Sequence, residues 1–256
     1  MVDPLGYVTQ QNPNKVTATS LEWEEDANGN RTTYTYDSDG NMASKTDPLG
    51  NTWSYTYVAG TDWAETETNP LGVVTRYEYD ADGNLVRLIR DYGGPLENAT
   101  TYTYDSKGNQ TGITDPLGNV VSYEYDAIGN MVKMTDAIGN VSTYAYDARG
   151  NKVTSTDANG HITTYAYDLV DRLTSATDPL GHTTGYTYDA AGNMIEIHLP
   201  NGEEITQEYD AYNRFIRTTD PLGHTQTYGY DHNDNLIAVT DANGNSNSYS
   251  YDVLRT

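Results

Sequence analysis

The 256-residue sequence contains no cysteine. Disulfides, thiolate metal sites and a cysteine nucleophile are therefore excluded. Basic residues are scarce: 14 Lys+Arg stand against 37 Asp+Glu, a formal net charge of −23. Nucleic acid and anionic membranes both need a basic surface, so no nucleic-acid partner and no membrane insertion is expected. An acidic balance suits solubility, a basic partner or a cation, although Asp is also simply a good turn residue. One Phe stands beside 24 Tyr. A dry core would use more Phe, Leu and Ile; tyrosine suits a surface that is apolar along the ring and wet at the hydroxyl, so the core is expected to be only half dry.

Other absences narrow the reading further. No stretch approaches the ~20 apolar residues of a membrane-spanning helix. Met1-Val2-Asp3-Pro4 lacks the basic start and following apolar run of a secretory signal. No polar-capped apolar stripe of helical period runs beyond about one turn, so helix is not expected. There is no Gly-x-Ser-x-Gly, no Walker loop and no His-Glu-x-x-His. The chain is accordingly read as non-catalytic, without cofactor and without a metal centre.

What is present is one unit written many times. Thr114 to Met134 reads TDPLGNVVSYEYDAIGNMVKM, and the next copy begins at Thr135. From Asp105 onward the period is strict: Asp105, Asp126, Asp147, Asp168, Asp189, Asp210, Asp231 and Asp252 are each 21 residues apart. Tyrosine pairs precede them at Tyr102/Tyr104, Tyr123/Tyr125, Tyr144/Tyr146, Tyr165/Tyr167, Tyr186/Tyr188, Tyr228/Tyr230 and Tyr249/Tyr251, while one copy keeps only Tyr209. Turn glycines come next, among them Gly108, Gly129, Gly150 and Gly192. Residues 1–30 form a degenerate first copy, with turns expected at Asp3-Pro4-Leu5-Gly6 and Asn12-Pro13-Asn14-Lys15. An insertion interrupts the array at 91–98, and 99–256 is regular. No linker or composition shift divides residues 1–256, which read as a single array cut from a longer one.

The pattern alternates with period 2, so both rings of Tyr123-Glu124-Tyr125 share one face of a strand. Asp115-Pro116-Leu117-Gly118 fits a type I turn, with Asp first, Pro second and a glycine able to take φ > 0. Asp126-Ala127-Ile128-Gly129 reads the same way. The expected fold class is all-β: an antiparallel β-meander of ~21-residue two-strand repeats, roughly twenty strands in all. A three-residue hairpin loop pairs positions i and i+4 and preserves parity. Two such loops per copy would demand an even period. The odd period therefore requires one extra or missing residue, or a further bulge, in each copy. Ile195 with Ile197 and Ile237 with Val239 should join the tyrosine face, as should Val132 with Met134. The loop after Tyr-x-Tyr-Asp is expected to be the odd one, with unequal loop lengths.

Candidate sites each have a plainer reading beside the chemical one. His161, His182 and His224 occupy one slot after the turn glycine, where Asn119, Asn140 and Asn245 stand in other copies. Copies lie two strands apart, about 9.6 Å, too far for convergent metal ligands, so a turn-flanking polar role is expected. Asp37-Ser38-Asp39-Gly40-Asn41 and Asp80-Ala81-Asp82-Gly83-Asn84 faintly suggest calcium loops but lack the distal Glu, and read as Asx-type turns. The tyrosine ladder could stack sugars or extended peptide; packing on aliphatic residues of the same face is the alternative.

Tyr123-Glu124-Tyr125-Asp126-Ala127-Ile128-Gly129-Asn130, recurring at 21 residues with Asp-Pro-Leu-Gly between, resembles the RHS or YD repeat. The likeness covers nearly the whole chain and is loosest before Asn30 and around Asp91. That family more often has Gly-Arg after the turn; here Gly-Asn prevails, with Arg kept at Arg172 and Arg214. The resemblance implies a spiral sheet or hollow tube, as in the shells of bacterial polymorphic toxins and insecticidal toxin complexes and in teneurin-like surface proteins. It implies a secreted or cell-surface location and a cargo or toxin domain, or further repeats, as partner. A glycan or surface protein bound by an adhesion module is the rival reading, and end-to-end self-association a third.

Overall fold

The computed structural model describes residues 8–11 and 21–251, so the turns expected at Asp3–Gly6 and Asn12–Lys15, and Asp252, lie outside the described residues. The chain is all-β, with 23 strands and no helix among the described residues. It divides into two compact units, residues 1–124 with 135–139, and residues 125–134 with 140–256. Within each unit the strands form an antiparallel meander in which each strand contacts only its sequence neighbours. β-branched and aromatic residues fill the strands, and Asp, Pro and Gly end them, which is why each copy yields one long and one short strand. Val141–Tyr146 and Ile162–Tyr167 are long strands; Lys152–Thr156 and Leu173–Thr177 are short ones.

Both loop types have the same length, contrary to the expectation from parity. In the Asp-x-x-Gly loop at 157–161, Asp157 N–H donates to the His161 carbonyl at 3.0 Å. In the Tyr-Asp loop at 168–172, Asp168 N–H donates to the Arg172 carbonyl at 2.9 Å. Three residues are enclosed in each case. The odd residue is absorbed in the strand instead. Ala145 faces Thr154 but Tyr146 faces Lys152, which leaves Val153 bulged. The same break recurs between Thr35 and Tyr36, Ala166 and Tyr167, Thr187 and Tyr188, and Gly229 and Tyr230. Each short strand thus opens with a β-bulge that re-aims the chain and restores the tyrosine face.

Pairing identifies the two faces. Tyr186 faces Ile197 and Tyr188 faces Met194; Tyr228 faces Val239 and Tyr230 faces Leu236. Directly opposed residues share a face, so Ile197 and Val239 join the tyrosines as expected. Ile195 and Ile237 instead take the bulge, and Met194 and Leu236 hold the positions expected of them. Val132 and Met134 lie on the short strand Met131–Thr135. The other face is short and hydroxylated: Thr143 faces Thr156, Thr154 faces Thr164, and Thr164 faces Thr177.

A dry interior is nearly absent. Among the described residues Ile89 is the one large hydrophobic side chain that is fully buried, at 1% exposure. It pairs between Arg76 and Ala99, beside the insertion. There Tyr92 N–H donates to the Val74 carbonyl at 2.8 Å, and the Arg76 guanidinium stacks on Tyr92 at 4.9 Å while bonding its hydroxyl at 2.8 Å. Strand tyrosines such as Tyr144, Tyr146, Tyr165 and Tyr167 are half-buried on their own sheet face, as a phenol-rich composition dictates, while Tyr212, Tyr249 and Tyr251 are exposed.

Candidate functional site

The chemistry-bearing residues gather in three places: a row of Tyr-Asp turns, a row of Asp-Pro-Leu-Gly turns, and the tyrosine face between them. The turns share one local device. In Asp115–Asn119 the first carboxylate oxygen accepts from Leu117 N–H at 2.8 Å and from Asn119 N–H at 2.9 Å. The second accepts from the Asn119 side-chain amide at 2.7 Å. Gly118 takes φ 85°, closing the loop where a side chain would strain the backbone. The Asn119 amide, followed by its backbone N–H, holds the Asp115 carboxyl below its ordinary value. Asp105, Asp126, Asp147, Asp168, Asp189 and Asp231 form the same clip with the residues two and four positions on. Gly108, Gly129, Gly150 and Gly192 occupy its positive-φ position.

The histidine slot belongs to this device. Nδ1 of His161, His182 and His224 lies 2.9 Å from the second carboxylate oxygen of Asp157, Asp178 and Asp220, where Asn Nδ2 sits in other copies. In the acidic loops, the carboxylates of Asp37 and Asp80 accept from their own loop N–H groups and from Asn41 and Asn84. Among the described residues no three His, Asp or Glu side chains gather as metal ligands.

The tyrosines of each pair have different duties. The second reaches sideways to the carbonyl that opens the neighbouring short strand. Tyr146 donates to Met131, Tyr167 to Lys152, Tyr188 to Leu173 and Tyr230 to Phe215, at 2.8–3.0 Å. Tyr104 does the same to Leu85 across the insertion. These carbonyls flank the bulge, where the sheet ladder is interrupted, so the phenol satisfies a group the irregular strand leaves open. The first tyrosine packs on the short strand: Tyr102 faces Ile113, Tyr144 faces Ser155 and Tyr165 faces Ala176. Tyr123 and Tyr125 lie on the strand Val120–Tyr125. Lys152 sits over the rings of Tyr144 and Tyr165, at 5.7 and 5.1 Å. In the first unit Tyr34 donates to Glu24 at 2.6 Å, and burial, reinforced by that carboxylate, pushes its phenol up to about 12.

Side-to-side bonds along the Tyr-Asp row were not foreseeable from local pattern. Arg172 bonds its own Asp168 at 2.7 Å, reaches the Asp189 carbonyl of the next copy at 3.2 Å, and stacks on Tyr188 at 4.8 Å. Arg214 repeats this with Asp210, the Asp231 carbonyl and Tyr230. Asp171 and Asn213 replace the turn glycine at φ 64° and 62°, and accept bonds from Asn151 and Asn193 of the preceding copy at 2.7 and 3.0 Å. Asp234 likewise accepts from Arg214 at 2.9 Å. The retained arginines and the missing glycines were the signal in the sequence; both mark places where neighbouring turns are tied.

The arrangement uses its carboxylates, amides and half of its phenols to hold backbone and neighbouring copies. One hydroxyl stands against an imidazole, Thr187 Oγ1 at 3.0 Å from His198 Nε2 with Glu204 at 3.0 Å from Nδ1. His198 and Glu204 are 41% and 55% exposed, however, with no enclosed site around them. The depression at Asp178, His182 and Leu199–Asn201 is open. Among solved structures, TcdB2-TccC3 is similar at 19% identity with a TM-score of 0.70, covering 94% of this chain and 15% of that one. TcdB2-TccC3 without its hypervariable C-terminal region gives 18% and 0.71, over 97% and 15%. The Photorhabdus luminescens Tc holotoxin pore gives 19% and 0.56, over 86% and 15%. This chain therefore spans about 15% of the length of those chains, and the likeness is one of fold. No curated protein matches it. The profile of the RHS Repeat family matches at 21–52, 36–60, 63–95, 87–120, 104–137, 125–162, 146–183, 167–204, 209–246 and 230–255. With nearly every copy matched in phase, the chain belongs to the RHS-repeat family.

Proposed function

We propose that this chain is a non-catalytic length of wall in the shell of a secreted RHS-type toxin or surface protein, enclosing a cargo polypeptide. The observation that carries the reading is the hydrogen-bond inventory: the repeated Asp, Asn, Arg and second-Tyr side chains hold turns and neighbouring copies together. Such a surface builds a barrier and performs no reaction. The fold it shares with TcdB2-TccC3 supports the same reading. The cargo would be a further domain of the parent chain, and the net charge of −23 suits a basic one.

The test is protease protection in the intact parent protein. The polypeptide encoded beyond residue 256 should resist digestion while the repeats are folded, and be cut once they are unfolded by acid or denaturant. Equal digestion in both states would sink containment. Adhesion is the second reading, favoured by one observation: the hydroxyls of Tyr144, Tyr165 and Tyr186 make no hydrogen bond within the described residues, so a row of phenols is open to a ligand. Saturable glycan binding that Tyr165→Phe weakens would favour it.

A further inference from the structure

The first unit carries an apolar ridge along one margin. Leu49 and Leu71 at their Asp-Pro-Leu-Gly-type turns are 87% and 88% exposed, and Leu117 is 87% exposed. The turn between them is the insertion, where the repeat pattern is lost. A leucine nevertheless stands out there, Leu96 at 76%. Ile138, at the same place in the following turn, is 85% exposed. The corresponding residues of the second unit run Asn159, Leu180, Asn201, Leu222 and Asn243, so apolar teeth alternate with polar ones. Five successive bare aliphatics in a chain of net charge −23 form a feature that soluble monomers seldom leave uncovered.

We infer that this ridge is a docking surface for a second run of the same repeats, supplied in solution by a second copy of this chain. The period decides the partner. Teeth fall every two strands, about 9.6 Å apart. A partner helix offers apolar residues every seven positions, about 10.5 Å, so it drifts by ~0.9 Å per tooth and ~3.6 Å over four intervals, a third of the spacing. Another array of this fold has the same period and stays in step. The opposite margin of the unit presents Asp39, Gly60, Asp82 and Lys107 at its tips. The apolar tips of that row, Ile128, Leu169 with Val170, and Tyr212, fall in the second unit and are interrupted by Arg149 and Ala191, so they offer no unbroken run of five teeth. The ridge therefore meets its own counterpart, with teeth interleaved about a two-fold axis.

Magnitudes set the strength. At roughly 100 Å² per buried leucine or isoleucine, five teeth cover about 500 Å² per copy, or about 1,000 Å² in all, at the lower limit of specific interfaces. The association is thus reversible and of modest affinity. Two copies of net charge −23 repel each other, so the dimer tightens as salt rises.

Sedimentation equilibrium of the full 256-residue chain tests this directly. The expected result is a concentration-dependent monomer–dimer equilibrium that strengthens with salt. Leu71→Asp with Leu117→Asp weakens it at least tenfold, whereas Leu180→Asp with Leu222→Asp changes it less than twofold. All four leucines lie on exposed tips, and unchanged thermal melts confirm that both variants fold. A chain that stays monomeric at all concentrations and salts overturns the inference. So does association weakened equally by both pairs, or open-ended growth that the Leu71/Leu117 variant does not abolish.

Discussion

The two rows of turns begin from the same chemistry and end in different states. Both are three-residue loops closed by an Asp that accepts from the residues two and four positions on. Both put a glycine or its stand-in at positive φ. Yet the Tyr-Asp row is tied sideways by Arg172, Arg214, Asn151 and Asn193, and lies next to the second tyrosines. The Asp-Pro-Leu-Gly turns of the first unit instead point their leucines into solvent. The difference lies in the strand that each loop leads into. A bulge opens the strand after the Tyr-Asp turn and leaves carbonyls that a neighbouring phenol can reach; the other turn runs into an unbroken ladder.

The largest expected effect treats the rows alike and would break the idea that they share one clip. The clip carboxyls, such as Asp115 under the Asn119 amide, are held below their ordinary value in the folded chain. Depressed carboxyls contribute stability that is complete above their unfolded pKa, about 4, and is lost as pH falls through it towards the folded value. Thermal melts should be level from about pH 7 to 5 and fall steeply below about pH 4. A melting temperature unchanged into strong acid would show that the clips hold nothing.

Glycine substitution should separate the rows. Gly83, on the Tyr-Asp side, has φ 88°, and a methyl there would lie 2.5 Å from Trp63. Gly72, on the other side, has φ 80° and nothing within 4 Å. Both alanine variants carry about 1–2 kcal/mol of left-handed strain, and Gly83→Ala adds about 1–3 kcal/mol of overpacking. Chemical denaturation that found the two equally costly would contradict the packing of Trp63.

A smaller contrast lies within one tyrosine pair. Tyr167→Phe removes the bond to the Lys152 carbonyl and should cost about 0.5–1.5 kcal/mol. Tyr165→Phe removes a hydroxyl without a hydrogen-bond partner among the described residues and should stay within about 0.5 kcal/mol of the parent. Equal losses would mean the two phenols are not divided as described. The least effect is expected at Asp171. Replacement by Gly relieves about 1–2 kcal/mol of strain at φ 64°. It also loses the bonds from Asn151 and Arg149, about 0.5–1.5 kcal/mol each. A net change beyond about 2 kcal/mol in either direction would show that one of these contributions has been misjudged.

Period, strand identity, turn type and the tyrosine face were legible because each rests on neighbours in sequence: alternation, Asp first, Gly fourth. The odd period correctly required an irregularity in every copy. Parity constrains only a count, however, and an extra residue in a loop or in a strand satisfies it equally. Identical Asp and Gly signals at both turns argued for equal loops, and the bulge at Val153 or Thr174 has no composition of its own. The ties made by Arg172 and Asp171 span about 20 positions, beyond any local rule. The half-dry core came from a tyrosine-rich composition, but the burial of Ile89 depends on an insertion whose course the repeat could not predict.

The bulge also fixes how such a gene can change. A single-codon insertion or deletion in a strand exchanges its two faces from that point on. Loss or duplication of one whole 21-residue copy carries its own correction and leaves every later tyrosine where it was. The array can therefore lengthen or shorten in steps of one repeat, whereas a single extra residue is accommodated in a loop, as where Val58 N–H donates to the Trp63 carbonyl around four residues. Length becomes a variable that evolution can set almost independently of sequence.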